Sequence, residues 1–271
     1  MLLNWRKKAM DNTEKLKIIK VTEAARAETE DVVTREFPLT ILFNDNELVT
    51  LLCTPADLGY LAVGFLASEG FITSKDEIKR LLVDDKRGIA RVESTEASPL
   101  ADDLIFKRFI TSGCGRGASF YSAADVKDQA PVESQVRISA GGVFTLMKRF
   151  QQASELFRAT GGVHSAALCR GQEIVAFAED IGRHNAIDKI FGRCLLEDIS
   201  IEDTVIVTSG RISSEILLKV ARRNMPVIIS KSAPTDLGVK LATDLGITLI
   251  GFVRGRRMNV YSHSERVTAD D

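Results

Sequence analysis

The spacing of apolar and polar positions changes character along the chain, and each change predicts a different kind of structure. The first thirty or so residues are polar and helix-biased, which predicts a tail or a peripheral helix over 1–32. Then "EFPLTILFNDNELVTLLC" gives two strand-like runs about the turn signal Asn44-Asp45-Asn46, a hairpin. In "TPADLGYLAVGFLASEG" the residues Leu58, Leu61, Ala62, Phe65 and Leu66 recur at helical spacing. Thr54 fits the N-cap, Pro55 the first helical position, Asp57 the positive end of the dipole and Gly70 the stop. A short helix from Ser74 and strand-like pieces near 81–84, 89–93 and 104–110 complete a smaller α+β lobe over 33–140.

Residues 122–140 read as a connection. A second lobe, 141–265, starts with "GGVFTLMKRFQQASELFRATGG", which predicts one helix with Val143, Leu146, Met147, Phe150 and Phe157 on its buried face. After it the pattern predicts strands 165–169 and 173–178, helix 185–196, strand 204–208, helix 213–223, strand 226–230, helix 236–245 and strand 247–253. This β-α-β-α-β run implies right-handed crossovers and an α/β lobe whose mixed sheet is partly parallel. Residues 266–271 read as a tail.

Composition narrows the setting. A chain of 271 residues exceeds one typical domain and buries roughly three-quarters of its unfolded surface, so its core needs no staple. Net charge is −1, from 36 basic and 37 acidic residues, which argues against a nucleic-acid partner. Four cysteines, Cys53, Cys114, Cys169 and Cys194, show no paired spacing, as in a reduced compartment. The N-terminus has no apolar stretch of signal-peptide length, and apolar runs such as "LAVGFLA" are too short to span a bilayer. The reading is a soluble cytoplasmic protein without a membrane partner.

In the larger lobe, polar loops follow the strands: "TSGRISSE", "SKSAPTD" and "AEDIGRHN". Such loops gather at the carboxyl edge of a parallel sheet, where open α/β folds bind ligands. Ser209, Ser213, Ser214, Ser232 and Thr235, with the backbone N–H groups of helix starts, suit a phosphate or carboxylate. The same residues equally suit plain helix capping. Arg183, Arg211 and Lys231 turn the balance towards an anionic ligand. The last strand runs into "GFVRGRRMNVY", where Arg254, Arg256 and Arg257 surround Gly255. Glycine lets backbone approach a ligand and arginine forks onto phosphate oxygens, so a diphosphate or nucleotide fits, as does a solvated charge cluster. His184, at a predicted helix start, suits acid–base work, ligand orientation or a structural hydrogen bond.

The sharpest candidate is Cys114 in "RFITSGCGRGASFY". Its neighbours have the composition of an exposed loop, and Arg116 with a nearby helix start would favour the thiolate. Cys53, Cys169 and Cys194 fall in apolar patterns and read as small core residues. No Cys-x-x-Cys exists, and His164 is followed by Ser165 and Ala166 rather than by the H-x-E of a zinc deaminase. With dispersed cysteines and histidines, no intrinsic metal is expected.

Taken together, "GFLASEGFI", "TSGCGRG", "GGVHSAAL", "EDIGRHNAIDKIFG", "TSGRISSEI", "SKSAPTDLGVKLA" and "LIGFVRGRRMNVYS" resemble the FdhD family of formate dehydrogenase accessory proteins over roughly residues 33–265. The resemblance implies a sulfurtransferase that takes persulfide sulfur from a cysteine desulfurase. It delivers that sulfur to the bis(molybdopterin guanine dinucleotide) form of the molybdenum cofactor, destined for formate dehydrogenase. It places the persulfide on Cys114 and the cofactor-binding segment on Phe252, Val253, Arg254, Gly255, Arg256 and Arg257. Ser209, Arg211, Lys231, Ser232 and His184 join that segment as candidate cofactor contacts, and GDP is the expected mimic. It also implies a homodimer and a cytidine deaminase-like larger lobe. Many members carry Cys-x-x-Cys in this loop, whereas here Gly117 stands at the second position, so no neighbouring loop thiol can resolve the persulfide. The alternative is a chaperone that binds the cofactor without sulfur chemistry.

Overall fold

Two six-stranded sheets, each with its own core, share one helix–helix seam. The computed structural model describes residues 2–4, 11–95, 110–111 and 130–269. Cys114, Arg116 and Gly117 lie outside them, as do most of the predicted strand 104–110 and of the connection 122–140.

The larger lobe follows its predicted periodicity closely. Strands β10 (His164–Arg170), β11 (Glu173–Asp180), β12 (Thr204–Thr208), β13 (Val227–Ser230), β14 (Thr248–Arg254) and β15 (Arg257–Ser262) form a sheet in the order β11-β10-β12-β13-β14-β15. The pairs β12–β13 and β13–β14 are parallel and the remaining pairs antiparallel, so the sheet is mixed. Both of its faces are covered, which explains the unbroken apolar runs of the central strands. Leu168, Ile206, Ile228 and Leu249 meet α4 (Arg183–Leu196), α5 (Ser214–Arg222) and α6 (Asp236–Asp244) on one face. Cys169, Val207, Ile229 and Ile250 meet α2 (Ala140–Ala153) on the other.

The single helix predicted over 141–162 is divided. Ser154 breaks it at φ −77°, ψ 75°, and its hydroxyl bonds the Phe150 carbonyl at 3.0 Å and the Ser165 hydroxyl at 2.9 Å. These local bonds compete with helix continuation. The short α3 (Glu155–Thr160) therefore turns away, and Phe157 is 43 % exposed rather than part of the core face. The C-terminal tail also gains a role, because β16 (Val267–Thr268) pairs in parallel with β9 (Ile138–Ser139).

In the smaller lobe, β1 (Leu2–Asn4), β4 (Phe37–Phe43), β5 (Asn46–Cys53), β6 (Ile78–Asp84), β7 (Ile89–Ser94) and β8 (Ile110–Thr111) form a sheet in the order β1-β6-β7-β4-β5-β8. Asn44 and Asp45 both take positive φ at the β4–β5 turn, as a tight hairpin turn requires. Among its described residues the polar stretch over 1–32 holds no helix. Apart from β1, its described part forms the antiparallel hairpin β2 (Thr13–Val21) and β3 (Arg26–Thr34).

Helix α1 (Leu58–Glu69) starts later than its capping signals suggest, with Asp57 at the N-cap in left-handed backbone. Thr54 is not a cap; it is fully buried and its hydroxyl donates to Asp180 at 3.1 Å. Every α1 residue except Tyr60 is buried, as expected of a helix apolar on all sides. One side lies on the smaller sheet and the other crosses α4 at glycine on both helices. A Cβ on Gly64 would stand 1.7 Å from the Asp188 carbonyl oxygen, and one on Gly192 would stand 1.9 Å from that of Tyr60. Backbone therefore packs on backbone, and Leu195 and Leu196 of α4 enter the smaller lobe's core.

Buried charge fastens the same seam. Lys189 Nζ lies 2.7 Å from Asp180 and 2.7 Å from the Thr54 hydroxyl. Asp180 also accepts from the Gly182 N–H and from the Asn185 amide, which in turn donates to the Leu52 carbonyl. Lys219 lies 2.9 Å from Asp188 and 3.0 Å from Glu69, while the Ser68 hydroxyl donates to Asp188 at 2.6 Å. Burial pushes the Asp188 carboxyl up, and Lys219 and Ser68 hold against it. Each of these ions is paired with an opposite charge, which offsets the cost of burial.

Candidate functional site

The carboxyl ends of β12, β13 and β14 put three loops side by side, and hydrogen bonds stitch them together. The Lys231 N–H donates to the Thr208 carbonyl, the Ile212 N–H to Ala233, the Thr235 N–H to Ile212, and the Phe252 N–H to Ser232. Gly251 permits the crossing, since a Cβ there would lie 3.1–3.2 Å from Tyr261, Pro234 and the Ser232 carbonyl.

Phe252 then sets where the following side chains go. It takes φ +53°, costly for a bulky residue, at an irregularity in the β14–β15 register between Gly251 and Arg254. Simple alternation would put Ile250 and Val253 on opposite faces, yet both sit in the α2-side core. The bulge shifts the parity by one, which sends Arg254 to the side opposite Val253. The Arg254 guanidinium lies 5.5 Å from the Phe252 ring centre, within cation–π range.

A pocket of about 430 Å³ opens at this edge, and its lining includes His164, Ile181, Ser209, Lys231, Ser232 and Arg254. The Ser209 hydroxyl accepts from the Ser165 N–H at 3.0 Å and lies 3.3 Å from His164 Nδ1. Burial, then Arg183 and Arg211, hold the His164 imidazole below its ordinary range. The pocket thus joins two exposed cations, hydroxyls and a neutral imidazole, a set suited to an anionic ligand with a hydrogen-bonding head.

Comparison with known proteins matches residues 34–268 to the model of the FdhD/NarQ family. The chain belongs to that family. Its relatives include the sulfur carrier protein FdhD of Bacillus pumilus, 48 % identical over 238 residues, 88 % of this chain and 91 % of that protein. The protein of the same name from Bacillus subtilis is 48 % identical over 241 residues, 89 % of this chain and 92 % of the relative. A crystal structure from Desulfotalea psychrophila, described as that of a formate dehydrogenase accessory protein, superposes with a TM-score of 0.79 at 27 % identity. It matches 95 % of this chain and 100 % of its own. The mixed α/β architecture is therefore shared.

Of the candidate residues, the pocket gathers Ser209, Lys231, Ser232 and Arg254. Arg211, Gly255, Arg256 and Arg257 are exposed nearby, with Gly255 at φ +60° at the hairpin tip. Two candidates are placed otherwise. Val253 is fully buried, so its side chain packs the core and cannot touch a ligand. His184 is outside the lining, with Nε2 3.4 Å from Glu215 but without the alignment of a hydrogen bond. Among the helix-start hydroxyls, Thr235 is committed to capping, accepting from the Gly238 N–H at 3.1 Å. Sequence reasoning passed over His164 as a pocket residue, although it opens a strand whose neighbour β12 ends beside it. Among the described residues no cluster of His, Cys, Asp or Glu could hold a metal ion, and no helix is long and apolar enough to cross a membrane.

Much of "EDIGRHNAIDK" turns out to be framework. Glu179 accepts from the Leu156 and Phe157 N–H groups, and Asp180, Asn185, Asp188 and Lys189 fasten the seam. His184 makes a testable contribution to stability. Burial first, then Lys219 and Arg183, lowers its pKa from 6.5 to about 3. The unfolded chain takes up its proton near pH 6.5 and the folded chain only near 3, so stability is full above 6.5 and falls as pH drops through that window. Urea melts should show a loss of about 2–3 kcal/mol between pH 7 and 4.5 from this group. The same comparison for His184→Asn should show that loss removed.

Proposed function

We propose that the chain is a sulfur carrier of formate dehydrogenase maturation, charged on Cys114 and discharged onto a molybdenum cofactor whose guanine-nucleotide ends seat at the carboxyl-edge pocket. The observation that carries the reading is the pairing of Lys231 and Arg254 at one pocket mouth, in a family whose relatives are named sulfur carriers. The Cys114 thiolate attacks the outer sulfur of a donor persulfide on a cysteine desulfurase, forming a new S–S bond as the donor's S–S bond breaks and the donor cysteine leaves as its thiolate. Lys231 and Arg254 hold phosphate oxygens, while Ser209 and Ser232 offer hydroxyls beside them. A larger lobe of cytidine deaminase kinship belongs to the same reading and agrees with its mixed sheet.

GDP is the direct probe of the pocket. Charge-assisted contacts weaken as salt screens them, so calorimetry should find GDP affinity falling with ionic strength. Lys231→Ala with Arg254→Ala should weaken it by at least about tenfold, the loss of one charged hydrogen bond. Unchanged affinity in that folded variant removes the pocket from the reading. The second reading, a cofactor chaperone without sulfur chemistry, is favoured by Gly117 in place of a second loop thiol. Cys114→Ala separates the two: GDP binding should persist, while formate dehydrogenase maturation in cells lacking the native copy should fail.

A further inference from the structure

His164 lines the pocket, and the hydroxyl beside it is held in an unusual way. Ser209 follows Thr208, the last residue of β12 paired with β10, and prolongs that ladder twice over. Its N–H donates to the Ser165 carbonyl at 3.0 Å, and its hydroxyl accepts from the Ser165 N–H at 3.0 Å. One lone pair and the proton of that hydroxyl remain, and His164 Nδ1 lies 3.3 Å away. The other ring nitrogen, Nε2, has no partner among the described residues.

Charge converges on this ring from every element around it. Arg183 begins α4 and Arg211 follows β12, while Lys231 and Arg254 reach the pocket from the ends of β13 and β14. Asp180 stands opposite His164 across the β10–β11 pair, but Lys189 takes its carboxylate at 2.7 Å. Glu179 is occupied by the Leu156 and Phe157 N–H groups, and His184 is neutral above about pH 3. Burial and the arginines therefore prevail, and they keep the His164 imidazole neutral at pH 7.

We infer that His164 and Ser209 form a proton-coupled clamp, in which an anionic ligand entering the pocket draws one proton from solvent onto the imidazole. The inference rests on the anion site proposed above and adds how that site responds to charge. In the free protein the Ser209 O–H donates to Nδ1 and the ring is neutral. An anion offsets the surrounding cations, and a proton from solvent then binds at Nδ1. The new Nδ1–H donates to the Ser209 oxygen, which still accepts from Ser165, so both lone pairs of that oxygen are used. The Ser209 O–H is thereby released to turn to the ligand, beside the Nε2–H. One proton thus supplies one positive charge and one further hydrogen bond, and charge-assisted bonds are the stronger kind. Coupling is reciprocal: a ligand that tightens proton binding is itself bound more tightly as pH falls. Asparagine at position 164 offers an amide near the place of Nδ1 but cannot take up the proton.

Calorimetry of GDP binding to the full chain between pH 8 and 5.5, in buffers of different ionisation enthalpy, tests this. The affinity of the wild type relative to His164→Asn should rise about fivefold as pH falls over that range, for a histidine whose pKa climbs about one unit on binding. The comparison cancels the titration of the GDP phosphates, which both proteins share. At pH 6 the wild type should also take up more protons per GDP bound than the variant does. Ser209→Ala should lose more affinity at pH 5.5 than at pH 8, because the hydroxyl serves the ligand only after the proton has bound. Circular dichroism at each pH confines the comparison to folded protein. Parallel pH profiles with equal proton uptake in the wild type and His164→Asn would overturn the inference and leave the GDP site standing. A Ser209→Ala loss that does not vary with pH would remove the hydroxyl switch and overturn it as well. GDP affinity unchanged by Lys231→Ala with Arg254→Ala would overturn both the site and the clamp.

Discussion

Gly64→Ala will cost more than any single core truncation in this protein. The added methyl group would lie 1.7 Å from the Asp188 carbonyl oxygen and 2.8 Å from the Gly192 nitrogen. Both are backbone atoms in the middle of α4, so no rotamer change relieves the clash; the two helices must separate. Separation would also strip Leu195 and Leu196 from the smaller lobe's core. Overpacking in an adaptable core costs about 1–3 kcal/mol, and here the obstacle is rigid, so about 4 kcal/mol or more is expected. Chemical denaturation of Gly64→Ala beside Ala62→Gly in the same helix checks this, since the second change alters helix propensity without adding volume. Near-equal stabilities would contradict the backbone contact.

Lys219→Met is expected to have the second largest effect. Lys219 is the shared cation of Asp188 and Glu69, and all three are buried. Its removal leaves two carboxylates facing each other inside the seam, and breaking a buried pair in this way costs about 3–5 kcal/mol. Adding Asp188→Leu to Lys219→Met should recover part of the loss, because it removes one of the stranded charges. Urea titration of the wild type, the single variant and the double variant measures both changes. A double variant less stable than Lys219→Met would show that the ions do not act as a unit.

The larger lobe was legible in the sequence because its strands are buried on both faces. Runs such as "TVIVT" and "VIIS" between turn signals admit few other readings, and both strands appear within a residue of their expected bounds. The N-terminal hairpin was not legible. Its faces mix lysine, glutamate and isoleucine without a buried side, so alternation never separates apolar from polar. The seam was equally hidden: a glycine inside a helical pattern signals only lower propensity, and nothing local shows that Gly64 will meet Gly192. Thr54 misled for a related reason. A threonine before a proline reads as a cap, and only the fold brings Asp180 to it from 126 residues away.

The site was readable in part for the same physical reason. Ser209, Lys231 and Ser232 follow parallel strands directly, so topology alone gathers them. Arg254 and Val253 depend on the Phe252 bulge, a backbone detail that no alternation pattern contains, and Val253 accordingly falls in the core. The loop before His184 reaches the pocket through Ile181, while His184 itself lies beside Glu215 outside the lining. Within its motif, buried lysines claim two of the acidic residues, Asp180 and Asp188.

The central claim is that sulfur rides on Cys114, and intact-protein mass spectrometry after incubation with a cysteine desulfurase and cysteine tests it most directly. Burial pushes the thiols of Cys53 and Cys169 up to about 12 and that of Cys194 to about 11, which leaves them without thiolate at neutral pH. The account predicts a mass gain of one sulfur atom per chain, mapped by peptide analysis to Cys114 and absent from Cys114→Ala. A chain that gains no sulfur while the desulfurase turns over, or a Cys114→Ala protein that still gains one, would contradict it.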